Sequence, residues 1–283
     1  MKYFFGADVT DNIENETIDG NVFVTKEISA ITQNSLDKST DELIEMDKNG
    51  KLALPLRIIE FICSTAALLL AVGLINSISD ITISEAYHNA PFLFYIFIIC
   101  ALTAAMLYIV GRRKYKIVSK SEEAVIAERR NDISEKNAYN ELGVPDGALS
   151  VDVIMMNYKL KNGKIVLKTT AFFSCINPIM RMYKEDNYLC LADLEKKYSI
   201  SLDSVTNIRK IKKHFELPFW NKEIMYNKGE YKKYKITENN GIICIKYAYA
   251  LCIDYNGEIY ELYFPPYELE RFVQLTGCEV APE

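Results

Sequence analysis

Apolar positions along this chain gather into two runs, Leu56–Ile78 and Phe92–Gly111, separated by a short acidic loop and closed by Arg112-Arg113-Lys114. The second run holds 20 residues without a charged side chain. At 1.5 Å per residue it reaches about 30 Å, the thickness of one hydrocarbon core. Eleven of its residues are Phe, Leu, Ile or Val, and at roughly 0.3–0.6 kcal/mol each their insertion energy outweighs Thr103 and the small residues. The first run opens on Arg57 and Glu60, three apart and able to pair on one helix face while Arg57 snorkels outward. From Phe61 to Ile75 nothing is charged. A soluble core helix rarely stays apolar on every face for such a length. About fifty mostly polar residues precede the first run, unlike a cleaved signal peptide. The pattern therefore predicts a two-helix transmembrane hairpin.

The loop Ser79–Ala90 carries Asp80, Glu85 and His88 but no Lys or Arg. The outer flanks carry Lys48, Lys51 and Arg57 on one side and Arg112, Arg113, Lys114, Lys116 and Lys120 on the other. This bias predicts a two-pass protein of the cell (inner) membrane with both termini cytoplasmic. Arg57, Tyr95, Tyr108, Arg112, Arg113 and Lys114 are the expected membrane-interface anchors. The polar residues deep in the spans are Ser64, Thr65 and Thr103, with Asn76 near an end. Without a deep ionisable group, an anchor fits better than a pore.

Outside the runs the period changes. Lys2–Thr10 and Asn21–Ile28 read as a hairpin with a turn at Asp19-Gly20, followed by a short helix over Thr40–Met46. Because a lone hairpin is barely stable, it should join another sheet. Ser121–Leu142 lacks Gly and Pro and reads as a solvated helix stopped by Gly143 and Pro145. From Leu149 to Phe264 short strands alternate with turns. Asn162-Gly163 and Asn256-Gly257 mark hairpins, Tyr198–Ile211, Tyr231–Thr237, Ile179–Tyr183 and Tyr188–Leu191 are further strands, and Tyr267–Leu275 has helical spacing. The organisation expected is 1–52 N-terminal hairpin and short helix, 53–78 and 91–112 spans, 79–90 external loop, 113–147 juxtamembrane helix, and 148–283 cytoplasmic β domain. The fold class is an α+β membrane protein with an antiparallel β domain of six or seven strands and one C-terminal helix.

The segment Tyr198-Ser-Ile-Ser-Leu-Asp-Ser-Val-Thr-Asn-Ile-Arg-Lys-Ile211, with Trp220, the hairpin Ile242–Phe264 and the final helix, resembles the pleckstrin-homology-like (PH-like) domains of small bacterial membrane proteins. The order of a strand region, a transmembrane hairpin and then the rest of the β domain is similar to a YcxB-like arrangement. That resemblance covers about half of the chain and is topological. It implies a small barrel capped by the last helix, with the N-terminal hairpin completing the sheet, and it carries no catalytic signature.

Composition narrows the chemistry. A net charge of −5 excludes the global basic field of a nucleic-acid binder. Seven cysteines without a CxxC pair read as reduced, buried thiols, and two histidines exclude a His-rich metal site. Half of the 12 glycines follow Asn or Asp as turn residues, and no phosphate-binding loop, nucleophile elbow or metalloprotease helix is present. Neither a catalytic residue nor a metal or other cofactor is expected. One local feature stands out. Between Ile200 and Lys235 nine Lys/Arg face four acids, a local charge of +5. There Arg209, Lys210, Lys212, Lys213, Lys232 and Lys233 are the candidate contacts to anionic lipid or a partner. The expectation is a membrane-anchored, non-enzymatic interaction or sensory module. Its partners would be the lipid bilayer, a protein or a second copy of itself, and weakly anionic lipid. The alternatives are a structural subunit of a membrane complex or homo-oligomer, and an unrecognised enzyme.

Overall fold

The computed structural model describes residues 3–4, 7–8, 23–78, 87–88, 90–161, 164–167, 175–176, 179–218, 233–239 and 242–282. The expected turns at Asp19-Gly20 and Asn162-Gly163, Trp220 and most of the loop Ser79–Ala90 lie outside them. The architecture is α+β. Contacts divide the chain into a helical unit, Asn34–Glu135, and a β unit built from Met1–Gln33 together with Lys136–Glu283. Among the described residues four long helices run α1 (Ala30–Gly50), α2 (Leu54–Ile78), α3 (Pro91–Val118) and α4 (Glu122–Leu142).

In the helical unit, α2 and α3 pack along each other. Both are long and apolar enough to cross a membrane. Their outer faces are bare: Phe61 is 72 % exposed and Leu102 66 %. Burial in the protein therefore does not account for their apolar character. Helix α3 starts with Pro91 in its first turn, where a missing N–H costs nothing. It runs on past Gly111 and through the basic triplet to Val118.

Helix α1 is 21 residues long, where local pattern predicts only Thr40–Met46. Its Ser, Thr, Asn and Asp content argues against helix locally, but tertiary contacts supply the difference. Ser35 Oγ lies 3.2 Å from Ser134 Oγ, Ser39 Oγ donates to Asn131 Oδ1 at 3.1 Å, and Arg130 Nη1 donates to Glu42 at 3.2 Å. Partners rise along α1 as they fall along α4, so the two helices run antiparallel. The helix expected to be a solvated stalk has α1 as its partner, across a seam of small polar side chains with Leu36, Ser39, Ala127 and Ser134 buried.

The β unit begins with β1 (Tyr3–Phe4), β2 (Ala7–Asp8) and β3 (Val24–Glu27). After the helices follow β4 (Leu149–Asp152), β5 (Met155–Lys161), β6 (Lys164–Leu167), β7 (Cys175–Ile176), β8 (Ile179–Glu185), β9 (Tyr188–Ala192) and β10 (Lys196–Ser201). Then come β11 (Val205–Ile211), β12 (Phe215–Pro218), β13 (Thr237–Asn239), β14 (Ile242–Ile245), β15 (Ala248–Tyr255), β16 (Glu258–Phe264) and α5 (Leu269–Thr276). A five-stranded sheet runs β3-β10-β9-β8-β4 and a four-stranded one β11-β15-β16-β2, all antiparallel. Smaller sheets join β12-β14-β13, and β5 with β1, β6 and β7.

The two larger sheets share one core. Met180, Met182, Leu189, Leu191 and Ile200 from the first meet Ile208, Leu251, Ile253, Leu262 and Phe264 from the second. Helix α5 lays Phe272 flat on Phe264, with centroids 3.9 Å apart. It ends at Gly277, whose φ of +69° lets its N–H reach the Val273 carbonyl.

Several expectations change here. The described strands form four sheets rather than one closed barrel, and they outnumber the six or seven expected. Pieces as short as β7 and β13 carry too little alternation to be read as strands. Tyr198–Ile211, which reads as one strand, breaks at a 3₁₀ turn over Leu202–Ser204, so its halves enter different sheets. That turn makes the corner between them. Ile242–Tyr255 likewise divides into β14 and β15. Of the strand expected over Tyr231–Thr237, residues 233–235 are turn, with Lys235 at φ 58°, and β13 begins only at Thr237.

The described N-terminal strands do not form a hairpin with one another. β1 pairs with β5, β2 with β16 and β3 with β10. Each finds a strand of the later sequence, whose backbone supplies its ladder partners. Within this unit Glu141, at the end of α4, caps the first turn of α1. Its Oε1 accepts from the Ser29 N–H at 2.6 Å and its Oε2 from the Thr32 hydroxyl, bonds that hold the carboxyl below its usual range, Thr32 first.

Candidate functional site

Where α1 gives way to α2, opposite the end of α3, the helical unit forms an open cavity of about 310 Å³. Two glycines create the close approach. A Cβ on Gly50 would stand 3.0 Å from the Tyr115 ring, and one on Gly111 would stand 3.2 Å from Leu52. Lys114 Nζ donates to the Lys51 carbonyl at 2.8 Å and ties the joint. Lys51, Arg57 and Arg112 line the cavity with Glu60 and the Tyr108 and Tyr115 rings. Lys51 also pairs with Asp47, one turn earlier.

Three of the six expected interface anchors, Arg57, Tyr108 and Arg112, therefore meet in one place. Lys114 serves the joint, and Arg113 is exposed outside the cavity. Tyr95 lies in the first turns of α3, its hydroxyl 3.0 Å from that of Tyr87.

The basic run of the β unit is less free than its composition suggests. Arg209 forms an ion pair with Glu261, a carboxylate only 2 % exposed that also accepts from the Tyr263 hydroxyl at 2.6 Å. Burial, and then the Glu261 charge, push the Tyr263 phenol far above its ordinary value. The Lys210 ammonium sits 5.2 Å from the Tyr247 ring centroid and that of Lys233 sits 4.7 Å from Tyr234. Lys212 and Lys213 are exposed between β11 and β12, and Lys232 lies outside the described residues. Arg209, Lys210 and Lys233 thus each have a different neighbour, instead of facing one ligand together.

Two groupings escape sequence reasoning because they depend on pairing across strands. His214, Glu216 and Cys244 bring three metal-ligating atoms within 4.8 Å of one another. Phe215, Leu217, Ile243 and Ile245 point into the core, so alternation turns these three outward together. Lys212, Lys213 and Lys246 flank them, and that field opposes a cation. The six cysteines with described side chains are free thiols.

The second grouping joins β4 to the C-terminal helix. Asp152 and Glu268 are both buried. The Tyr267 hydroxyl donates to Asp152 Oδ2 at 2.6 Å, the Asp152 N–H to Glu268 Oε1 at 3.2 Å, and Arg271 to Glu268 Oε2 at 2.8 Å. Burial pushes Asp152 up to about 6 and Glu268 up to about 7, against the opposing pull of Arg271 and the hydrogen bonds. With folded values above unfolded ones, the native state holds protons that the unfolded chain has lost. Stability from this pair therefore falls as pH rises from about 4 to about 7. Thermal melts should show a lower midpoint at pH 8 than at pH 5, and the combined Asp152→Asn and Glu268→Gln variant should shrink that difference. An equal or larger difference in the variant would refute the assignment.

No family model, curated protein or solved structure matches this chain.

Proposed function

We propose that this chain is a membrane-anchored, non-enzymatic interaction or sensory module, with α2 and α3 crossing the cell (inner) membrane and the β unit in the cytoplasm. The observation that carries the reading is that the β unit takes strands from both sides of the apolar pair. Val24–Glu27 lies on Lys196–Ser201, and Ala7–Asp8 on Glu258–Phe264. Segments that share a sheet share a compartment, so the chain must leave and return, which two crossings accomplish. The Lys/Arg bias at the flanks makes that compartment the cytoplasm. Two antiparallel sheets over one core with a C-terminal helix against it support a PH-like arrangement. The convergent polar groups of the β unit (Asp152 with Glu268, and Arg209 with Glu261) hold strands and helix together. That favours a scaffold that presents surfaces over one that turns over a substrate.

Topology is the test. In intact cells, a membrane-impermeant thiol reagent should label the Tyr87→Cys variant. It should leave the wild type unlabelled until permeabilisation opens access to thiols such as the partly exposed Cys278. Labelling of the wild type in intact cells, or release of the protein by alkaline carbonate, would overturn the reading.

A further inference from the structure

We infer that the cavity at the joint of α1, α2 and α3 binds the phosphodiester headgroup of an anionic lipid of the cytoplasmic leaflet. The inference rests on the membrane reading and names the partner of that surface. Arg57 stands just before the uncharged stretch Phe61–Ile75 and Arg112 just after the run that ends at Gly111. Both guanidinium groups therefore lie at one edge of the hydrocarbon layer, the depth of lipid phosphates.

Arg57 and Arg112 line the cavity with one acid, Glu60, while the third cation, Lys51, already has Asp47 as its counter-charge. Among the described residues neither Arg57 nor Arg112 forms an ion pair. Cations beside hydrocarbon are costly unless neutralised, and a guanidinium fork matches two phosphate oxygens at once. The volume, about 310 Å³, is at the small end of ligand pockets. It suits a headgroup, while the bare apolar faces of α2 and α3 offer the acyl chains a surface. The Tyr108 and Tyr115 rings complete an amphipathic wall of the kind that sits at the interface. Gly50 and Gly111 keep the joint tight enough for the cations to converge.

The experiment is native mass spectrometry of the full-length protein in mild detergent, titrated with short-chain phosphatidylglycerol and, separately, phosphatidylcholine. The wild type should retain one phosphatidylglycerol in preference to phosphatidylcholine. At about 1 kcal/mol per basic group and 1.4 kcal/mol per tenfold, Arg57→Gln with Arg112→Gln should weaken that binding about thirtyfold. Arg113→Gln with Lys116→Gln removes the same charge outside the cavity and should leave it nearly unchanged. Equal losses in the two variants would reduce the effect to general charge and overturn the site. Saturation by inorganic phosphate or glycerophosphoglycerol at the lipid's own affinity would assign the cavity to a soluble anion instead. A protein that resists carbonate extraction but lacks phosphatidylglycerol preference refutes the lipid site alone, whereas one that carbonate releases refutes the membrane reading.

Discussion

Phe23→Ala is expected to destabilise the β unit by about 3–5 kcal/mol, the range for removing a buried aromatic ring and leaving its cavity. Phe23 is 5 % exposed, although the strands it packs on lie beyond both apolar runs in the sequence. The Ser199 N–H donates to the Phe23 carbonyl at 2.9 Å. The Phe23 ring meets Tyr260 and Tyr255 edge-on, with centroids 5.4 and 5.6 Å away, and it belongs to the core shared by the two larger sheets. A loss of that size is a large part of the roughly 5–15 kcal/mol that holds a domain together. Denaturant unfolding of the full-length protein in detergent measures it, with Ile31→Ala as the control because Ile31 is exposed. A Phe23→Ala cost below about 1 kcal/mol would mean that the N-terminal segment is not part of the core.

How much of this is legible in the sequence depends on the range of the contacts that decide each element. The apolar runs carry their own signal, and the helices Leu54–Ile78 and Pro91–Val118 follow them closely. Helix α4 and the Asn256-Gly257 hairpin are equally local, and both turn residues take positive φ, 55° and 81°. Helix α1 outruns its own pattern because its support, the Glu141 cap and the seam with α4, comes from residues far along the chain. The corner at Leu202–Ser204 shows in the sequence only as a lapse of alternation at Asp203-Ser204 before Val205, and sheet membership is what reveals that lapse as a turn. At the joint, the sequence marks Arg57, Tyr108 and Arg112 as anchors one by one. Their convergence on a cavity with Lys51 requires the packing of three helices.

Arg209→Ala should cost about 3 kcal/mol, because it leaves the buried Glu261 carboxylate without its counter-charge, with the Tyr263 hydroxyl and a long contact from the Cys252 thiol as its partners among the described residues. The low end of the range for broken buried pairs applies, since Arg209 is itself 55 % exposed. Replacing both partners, Arg209→Met with Glu261→Met, removes the charge together with its counter-charge and should return stability to within about 1 kcal/mol of the wild type. A double-mutant cycle by denaturant unfolding reads the difference. If Arg209→Ala alone is neutral, the carboxylate has water or another cation at hand, and Arg209 is available to an outside ligand as its place in a basic run suggests. If the cycle shows strong coupling, Arg209 belongs to the fold. Any loss of anionic-lipid binding in its variants then reflects an altered β unit. The proposed lipid contact in that case rests on cations without an ion-pair partner, of which Arg57 and Arg112 are two among the described residues.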